Sequence, residues 1–221
     1  MATHQEIAGV SDEDLVQRML KSHDDRFNES FWALFTEYVS PQLEANPCIV
    51  DLGCGPGLLV RDMASRVSNA ELLGFDITPA MIDYADQLGL AAKFEVLDVT
   101  AGPIPLGDQS VDLISMAAVL HVLDEPLVCL AELKRLLKPG GVFLLVDWVR
   151  QPLEKYLGMM MENVPTDRAE QMEKAMLRLS VAHNKYTVDD WVWLLAKGGL
   201  EVEHCAQTRS DHFRTFVCRL T

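Results

Sequence analysis

The chain has 221 residues, a net charge of −14 and an apolar content of 49%. This composition is that of a globular protein large enough for one α/β domain with a core and a small cap. The acidic balance argues against a protein that grips DNA or RNA, because such proteins meet phosphates with a basic surface. No run of 18 apolar residues occurs, which argues against a membrane-spanning helix.

The cysteines and the first residues indicate the cellular compartment. There are five cysteines, and none has Cys-x-x-Cys spacing. This pattern predicts reduced thiols and no metal site. Residues 1–6 contain no basic segment followed by an apolar one, so we expect no secretory signal and a cytoplasmic protein.

Residues 1–45 are predicted to be helical. Their apolar side chains repeat at i, i+3, i+4 and i+7, namely Phe31, Leu34, Phe35 and Tyr38. Such a face either packs on the edge or core of a sheet or roofs a binding site. On the second interpretation, Phe31 and Tyr38 are candidates for contact with a substrate.

The segment from Cys48 to Gly57 is the most informative part of the chain. An apolar run, Cys48–Leu52, predicts a buried strand, and Gly53, Gly55 and Gly57 then allow a sharp turn that approaches a ligand closely. A helix that begins near Leu58 would point its amides at that ligand. Nucleotide-like cofactors bind at such places, and an ordinary strand–helix turn is the alternative when the loop is taken alone.

The details of the loop restrict the kind of cofactor. Leu58 breaks the G-x-G-x-x-G fingerprint of dinucleotide-binding proteins, and the loop lacks the Lys-Ser/Thr pair of a P-loop. Asp51 precedes the first glycine by two residues. An acid there would repel a pyrophosphate but suits a ligand that carries an ammonium and a sulfonium.

Further strands end in acids downstream. Leu72–Asp76 is a second predicted strand, and Asp76 lies 19 residues past Gly57, where a carboxylate can bind both ribose hydroxyls. A third strand, Phe94–Val99, contains Asp98, which could accept a hydrogen bond from an adenine amine. A fourth, Asp112–Met116, precedes a helix over 126–137 that ends at Lys138–Gly141, and a fifth follows at Val142–Val146.

Together these motifs resemble class I S-adenosylmethionine-dependent methyltransferases. The likeness is to the small-molecule type 11 group, which includes ubiquinone and menaquinone biosynthesis methyltransferases. It covers about residues 45–150, with a weaker match over 187–221. It is carried by five segments: Asp51–Gly57, Gly74–Met81, Asp98–Val99, Leu120–Pro126 and Leu136–Gly141. Ser115–Ala118 departs from the Pro-Pro motif of the nucleic-acid amino-methylating members.

The resemblance implies a Rossmann-like α/β fold, with a seven-stranded mostly parallel sheet, helices on both faces and an antiparallel last strand. The expected division is an N-terminal helical lid over 1–45, a cofactor-binding core over 46–150, a helical cap over 151–186, and a C-terminal helix and strand pair over 187–221. The cap contains the methionine-rich run Leu157–Met161, and methionine adapts to irregular apolar shapes. We therefore expect an apolar or planar methyl acceptor, while filling of gaps in the core remains the alternative.

The resemblance also implies S-adenosylmethionine as cofactor, with S-adenosylhomocysteine as product. The expected cofactor-binding residues are Asp51, Gly53, Cys54, Gly55, Gly57, Asp76, Ile77, Met81, Asp98, Val99, Met116 and Ala117. His121 is the candidate general base, and a purely structural histidine is its alternative. Phe31, Tyr38, Asp147, Met160 and His183 are the candidate acceptor contacts, and no metal is expected.

The sequence also permits other functions. The acidic surface permits methylation of a protein side chain, and a module that binds the cofactor without turnover would keep the same acids. Aminopropyl transfer would call for an acid-rich acceptor pocket, and a nicotinamide oxidoreductase is disfavoured by Leu58. The predicted partner is a small-molecule acceptor, with no nucleic acid, and the cap also offers a surface for a homodimer.

Overall fold

Seven strands form one sheet in the computed structural model, which describes residues 11–162 and 164–221. The strands are β1 (Cys48–Leu52), β2 (Glu71–Asp76), β3 (Ala92–Val96), β4 (Val111–Ala117), β5 (Leu137–Trp148), β6 (Leu200–Ala206) and β7 (Phe213–Leu220). Their order is β3-β2-β1-β4-β5-β7-β6. The pairs from β3 to β5 are parallel, whereas β7 is antiparallel to β5 and to β6. The predicted fold class is therefore confirmed.

The helices cover both faces of this sheet. They are α1 (Asp12–Arg26), α2 (Glu29–Leu34), α3 (Leu58–Arg66), α4 (Pro79–Asp86), α5 (Pro126–Leu136), α6 (Leu153–Met161), α7 (Ala169–His183) and α8 (Val188–Lys197). Ser11 and Thr187 begin α1 and α8 with capping boxes, in which Asp14 and Asp190 return the hydrogen bond. Such caps fix where each helix starts.

The burial of the strands follows their position in the sheet. Central strand β4 is buried at every residue except Ala117, as expected for a parallel strand covered on both faces. Edge strand β6 alternates between inward and exposed residues. One face of the sheet packs against α5 and α8 through residues such as Leu133 and Trp191, and the other packs against α2 and α3 through Phe31 and Met63.

Two predicted boundaries differ from the structure. Strand β3 ends at Val96, so Asp98 lies in the turn beyond the strand rather than within it. Strand β5 begins at Leu137, directly after α5, so the segment Lys138–Gly141 belongs to the strand rather than to a loop that ends the helix. The segment bulges, because Val111 pairs with Leu137 whereas Leu113 pairs with Val142.

The N-terminal segment is helical where it is described. After α2 the chain continues as a π-helical turn over Phe35–Val39 and a short 3₁₀ turn over Ser40–Gln42. Residues 1–10 of the predicted lid lie outside the described residues. Among the described helices, none combines the length and apolarity that a membrane crossing needs.

A buried hydrogen bond joins helix α8 to strand β5. Trp191 is fully buried and its Nε1 donates to the carbonyl of Trp148 at 2.7 Å. Replacing Trp191 with Phe leaves that carbonyl without its donor and opens a void. We expect a loss of roughly 2–4 kcal/mol in the free energy of unfolding, measured by urea denaturation.

Trp193→Phe is the matched control, because Trp193 lies on the same helix and is 60% exposed. We expect it to change stability by less than about 0.5 kcal/mol. Equal effects of the two substitutions would contradict the structural role given to the Trp191 bond.

Candidate functional site

A cavity of about 820 Å³ lies over the carboxyl ends of β1, β2 and β4. Parallel strands present their following loops at one edge of the sheet, and ligands of open α/β sheets bind there. Helix α1 covers one side of the cavity, and α6 and α7 cover another. The cavity therefore lies between the N-terminal helix, the sheet edge and the predicted cap.

The glycine loop after β1 forms the floor of the cavity. The amides of Gly53 and Cys54 both donate to the carbonyl of Phe75, at 2.7 and 2.9 Å, which ties the loop to β2. Gly53, Gly55 and Gly57 have positive φ angles of 72°, 53° and 75°. The left-handed conformation suits glycine, so the sequence of the loop matches its shape.

The three glycines serve different purposes. A Cβ on Gly53 would lie 2.2 Å from Cγ2 of Val119, and one on Gly57 would lie 2.8 Å from Cβ of Ala85. Those two positions are therefore needed for packing. A Cβ on Gly55 would meet no atom within 4 Å, and Gly55 lines the cavity. Gly55 is thus the position where the backbone lies open to a ligand.

Asp51 is the buried acid of the site. It is 2% exposed, lines the cavity, and its Oδ1 accepts a 2.6 Å hydrogen bond from the hydroxyl of Ser115. Burial raises the pKa of Asp51 to about 7, the nearby Asp76 carboxyl adds to the rise, and the Ser115 bond opposes it. A ligand ammonium beside Asp51 would favour the ionised carboxylate.

Asp76 at the end of β2 holds two turns together. Its Oδ2 accepts from the amide of Gly55 at 2.8 Å, and its Oδ1 accepts from the amide of Thr78 at 2.9 Å. Burial raises the pKa of Asp76, and these donors oppose that rise. Asp76 lines the cavity, so one carboxyl both shapes the loop and faces the ligand.

Asp98 lies further along the same edge. Its Oδ1 accepts from the amide and the hydroxyl of Thr100, at 2.8 and 2.7 Å. Asp98 and Val99 line the cavity together with Ile77 and Met81. This part of the cavity thus combines an acidic group with apolar side chains.

The turn after β4 is strained where it meets the cavity. Ala118 has a φ angle of 57°, which is uncommon for a residue with a Cβ, and its amide donates to Val146. Ala117, Ala118 and Val119 all line the cavity. Such strain persists only where surrounding contacts enforce it, and it is common at functional sites.

Aromatic and methionine side chains form the opposite wall of the cavity. The rings of Trp148 and Phe213 lie 4.3 Å apart between centroids, and Met176 packs in the same cluster. Met159 and Met160 come from α6 and complete the wall. This wall is apolar and adaptable in shape, as the methionine-rich run predicts.

His183 belongs to this wall, at the end of α7. Its ring stacks on Trp148 with centroids 4.6 Å apart and planes 8° apart, and its Nδ1 lies 3.0 Å from the hydroxyl of Tyr156. His183 is 3% exposed and lines the cavity. It therefore brings an imidazole to the aromatic side of the cavity.

His121 and Asp147 lie behind that wall. Nδ1 of His121 is 2.6 Å from Oδ1 of Asp147, and the two side chains are 1% and 0% exposed. The rings of His121 and His183 lie 5.5 Å apart. Although His121 and Asp147 are within the described residues, neither is among those that line the cavity.

The structure brings most of the predicted site residues together. Those that line the cavity are Asp51, Gly53, Cys54, Gly55, Asp76, Ile77, Met81, Asp98, Val99, Ala117, Met160 and His183.

The predicted site residues that lie elsewhere are also all described by the structure. They are Gly57, Met116, Phe31, Tyr38, His121 and Asp147. Phe31 is fully buried against the sheet, Tyr38 stacks on His204 at 4.0 Å, and Met116 is fully buried in the core. For Phe31 and Tyr38, the structure thus supports packing on the sheet rather than a roof over the site.

Several lining residues were not predicted. Arg18, Ser22 and Arg26 form a stripe of α1 that faces the cavity, and their i, i+4 and i+8 spacing was the available signal. Trp148 comes from the end of β5, and Arg209 and Phe213 come from near the C-terminus. Among the described residues, no group of three or more His, Cys, Asp or Glu could hold a metal ion.

The sequence of this chain is similar to those of known methyltransferases. Residues 50–145 match the family model described as a methyltransferase domain. Malonyl-[acyl-carrier protein] O-methyltransferase of Hahella chejuensis is 34% identical over 42% of this chain and 33% of its own. Ubiquinone biosynthesis O-methyltransferase of Cereibacter sphaeroides is 36% identical over 47% of this chain and 42% of its own. The chain therefore spans about a third to two fifths of the length of these curated relatives.

A solved structure extends the likeness to the whole fold. A SAM dependent methyltransferase from Aquifex aeolicus superimposes with a TM-score of 0.69 and 21% identity, over 96% of this chain and 99% of its own. Residues 50–145 thus match a methyltransferase domain, and the chain shares the fold of this solved structure. The resemblance seen in the sequence is confirmed, and Asp51 and the open face of Gly55 fit the ammonium and backbone contacts of S-adenosylmethionine.

The open position at Gly55 gives a direct test of where the ligand lies. Gly55→Ala would place a methyl group in the cavity, so we expect the affinity for S-adenosylhomocysteine to fall at least about tenfold, a loss of about 1.4 kcal/mol. Gly89→Ala is the control, because Gly89 also has a positive φ angle, 64°, and no atom within 4 Å of its Cβ position. Isothermal titration calorimetry should show normal affinity in the control, and equal losses would contradict this placement.

The raised pKa of Asp51 predicts pH-dependent cofactor binding. The carboxyl must lose its proton to pair with an ammonium, so we expect affinity for S-adenosylhomocysteine to rise with pH through about 7. Binding below that pH should release a proton, measurable by calorimetry in buffers of different ionisation enthalpy. The same shift lowers the free energy of unfolding of the free protein as pH rises from the ordinary carboxyl range towards 7, because the folded state binds the proton more tightly.

Ser115→Ala provides the matched variant for this test. It removes the hydrogen bond that lowers the pKa of Asp51, so the transition in affinity should move to higher pH. Asp51→Asn should remove the transition. A transition that stays unchanged in both variants would assign it to another group.

Proposed function

We propose that the protein is a methyltransferase that transfers the methyl group of S-adenosylmethionine to a small acceptor with an apolar or planar part. The observation that carries this proposal is the continuity of one cavity. Asp51, Asp76 and Asp98 line one half, and the wall of Trp148, Phe213 and methionines lines the other. A charged cofactor and an apolar acceptor would thus meet in one cavity.

In the half of the cavity lined by the three carboxylates, each acid would contact a different part of the cofactor. Asp51 would hold the methionyl ammonium, Asp76 the ribose, and Asp98 the adenine amine. The exposed side chain of Ile77 and the buried Met81 would lie against the adenine. These roles agree with the burial and the order of the carboxylates along the sheet edge.

When bound, the cofactor supplies a methyl group on a positively charged sulfur with a neutral leaving group. The protein's contribution is to align the acceptor and to exclude water, which removes much of the entropic part of the barrier. Ala117 and Ala118 lie at the end of β4, between the two halves of the cavity. The aromatic wall would hold the acceptor's planar part against this point.

For an acceptor that must lose a proton, we assign the contact to His183 rather than to His121. His183 lines the cavity and is held by Tyr156 and Trp148. Burial raises the pKa of Tyr156 to about 12, so its hydroxyl stays protonated at neutral pH. His121 and Asp147 support the wall from behind.

The segments surrounding the core have proposed roles as well. We propose the division expected from the sequence, with a lid over 1–45, a core over 46–150, a cap over 151–186 and a completing segment over 187–221. Within it, helix α1 of the lid and helices α6 and α7 of the cap cover the cavity. A cytoplasmic location, the absence of a nucleic-acid partner and a homodimer remain predictions. Methylation of a protein side chain and a non-catalytic regulatory module are the alternative functions.

The proposal is tested by binding and by turnover. We expect S-adenosylmethionine and S-adenosylhomocysteine to bind with about micromolar affinity, and NAD not to bind, in isothermal titration calorimetry. Asp76→Asn should weaken this binding at least about tenfold, because it removes a charged acceptor from the ribose contact. Asp86→Ala, at the exposed end of α4, is the control and should bind normally.

Turnover separates the enzyme from a binding module. Release of S-adenosylhomocysteine in the presence of small apolar acceptors would support transfer. Binding without any turnover across such acceptors and denatured protein substrates would favour the regulatory module. Absence of binding would overturn the proposed function.

A further inference from the structure

One wall of the cavity is positively charged in a protein whose net charge is −14. Helix α1 contributes Arg18, Lys21 and Arg26 to the lining, and the segment before β7 contributes Arg209. The carboxylates of Asp51, Asp76 and Asp98 lie at the strand ends on the cofactor side. The cavity therefore has an acidic half and a basic wall.

Arg26 is the most deeply placed of these cations. Its Nε is buried and has no hydrogen-bond partner among residues 11–162 and 164–221. Burial, together with the nearby Arg209, lowers the pKa of Arg26 to about 10, so the guanidinium stays charged at neutral pH. A buried donor without a partner is costly, and an anionic group of a ligand would supply that partner.

Asp25 is shared between Arg26 and Arg209. Its charge opposes the lowering of the pKa of Arg26, and its carboxylate accepts a hydrogen bond from Nε of Arg209. The guanidinium of Arg209 also lies over the ring of Phe213, 4.4 Å from its centroid. Arg26, Arg209 and Asp25 together thus carry one excess positive charge.

The contacts of this group place it in the acceptor half. Nδ2 of Asn28, two residues past Arg26, donates to the carbonyl of Thr208 at 2.8 Å, which joins the end of α1 to the segment before β7. Phe213 begins β7 and pairs with Trp148 at the end of β5. Arg26 therefore lies beside the aromatic wall, on the opposite side of β4 from the ribose acid Asp76.

We propose that Arg26, with Arg209 beside it, binds a carboxylate of the methyl acceptor. The acceptor would then be a small carboxylic acid whose planar or apolar part lies on Trp148 and Phe213. This inference rests on the proposed function and deepens it. The methionyl carboxylate of the cofactor offers the same chemistry, so the experiment must distinguish the two sources.

The first arm measures acceptor binding by calorimetry, with S-adenosylhomocysteine saturating. The ligands are benzoate and trans-cinnamate, each compared with its carboxamide, which has the same shape without the charge. We expect wild type to bind the acids at least about tenfold more tightly than the amides, as a charge-assisted bond implies. Arg26→Gln should abolish the difference, whereas Arg178→Gln, an exposed arginine of α7 outside the cavity, should keep it.

The second arm measures cofactor binding in the same variants. The ligands are S-adenosylhomocysteine and 5′-methylthioadenosine, which lacks the amino-acid part. We expect Arg26→Gln to leave both affinities within about threefold of wild type. A selective loss of S-adenosylhomocysteine affinity would assign Arg26 to the cofactor carboxylate and overturn the proposal.

Thermal unfolding provides the control for folding. Because the substitution removes the charge and the buried Nε donor that has no partner, Arg26→Gln should unfold at the same temperature as wild type or higher. A lower unfolding temperature would show a structural role and overturn the inference, and so would equal binding of acids and amides or no binding of either. Failure of wild type to bind S-adenosylhomocysteine would instead overturn the proposed function and this inference with it.

Discussion

The burial of Asp51 beneath the glycine loop is the constraint on which the site depends. The acid is the penultimate residue of central strand β1, is 2% exposed, and accepts a hydrogen bond from the hydroxyl of Ser115 on the neighbouring strand. A carboxyl in this position keeps its charge only when a partner supports it, since burial raises its pKa to about 7. The turn above it must therefore be tight enough to enclose it and open enough to admit a cation.

The glycines meet both demands at once. Gly53 and Gly57 let Val119 and Ala85 pack closely around the turn, while Gly55 leaves the backbone open on the cavity side. Asp76 then accepts from the amides of Gly55 and Thr78, so the carboxyl that shapes the loop is also one that lines the cavity. The two hydrogen bonds to Asp76 therefore set both the shape of the glycine loop and the position of its carboxyl at the cavity.

Local sequence predicted the strands, the glycine loop and the acids, because each is set by neighbours within a few residues. It could not place Phe31 or His121, whose contacts come from elements far away in the chain. The same limit applies to Arg26, whose surroundings are built by Arg209 and Thr208 from a segment about 180 residues later. Residues 138–141 were misplaced for a different reason: glycine and proline suggested a loop, but pairing of Leu137 with Val111 extends the strand.

One helix, α1, spans the two sides of the cavity. Its first half packs on Met81 through Leu15 and Val16, on the side of the carboxylates, while its last residue, Arg26, lies on the side of Phe213 and Trp148. Between them, His23 pairs with Asp62 of α3 at 2.8 Å, which holds α1 against the helix that follows the glycine loop. A change in the position of α1 would therefore alter both sides of the cavity together.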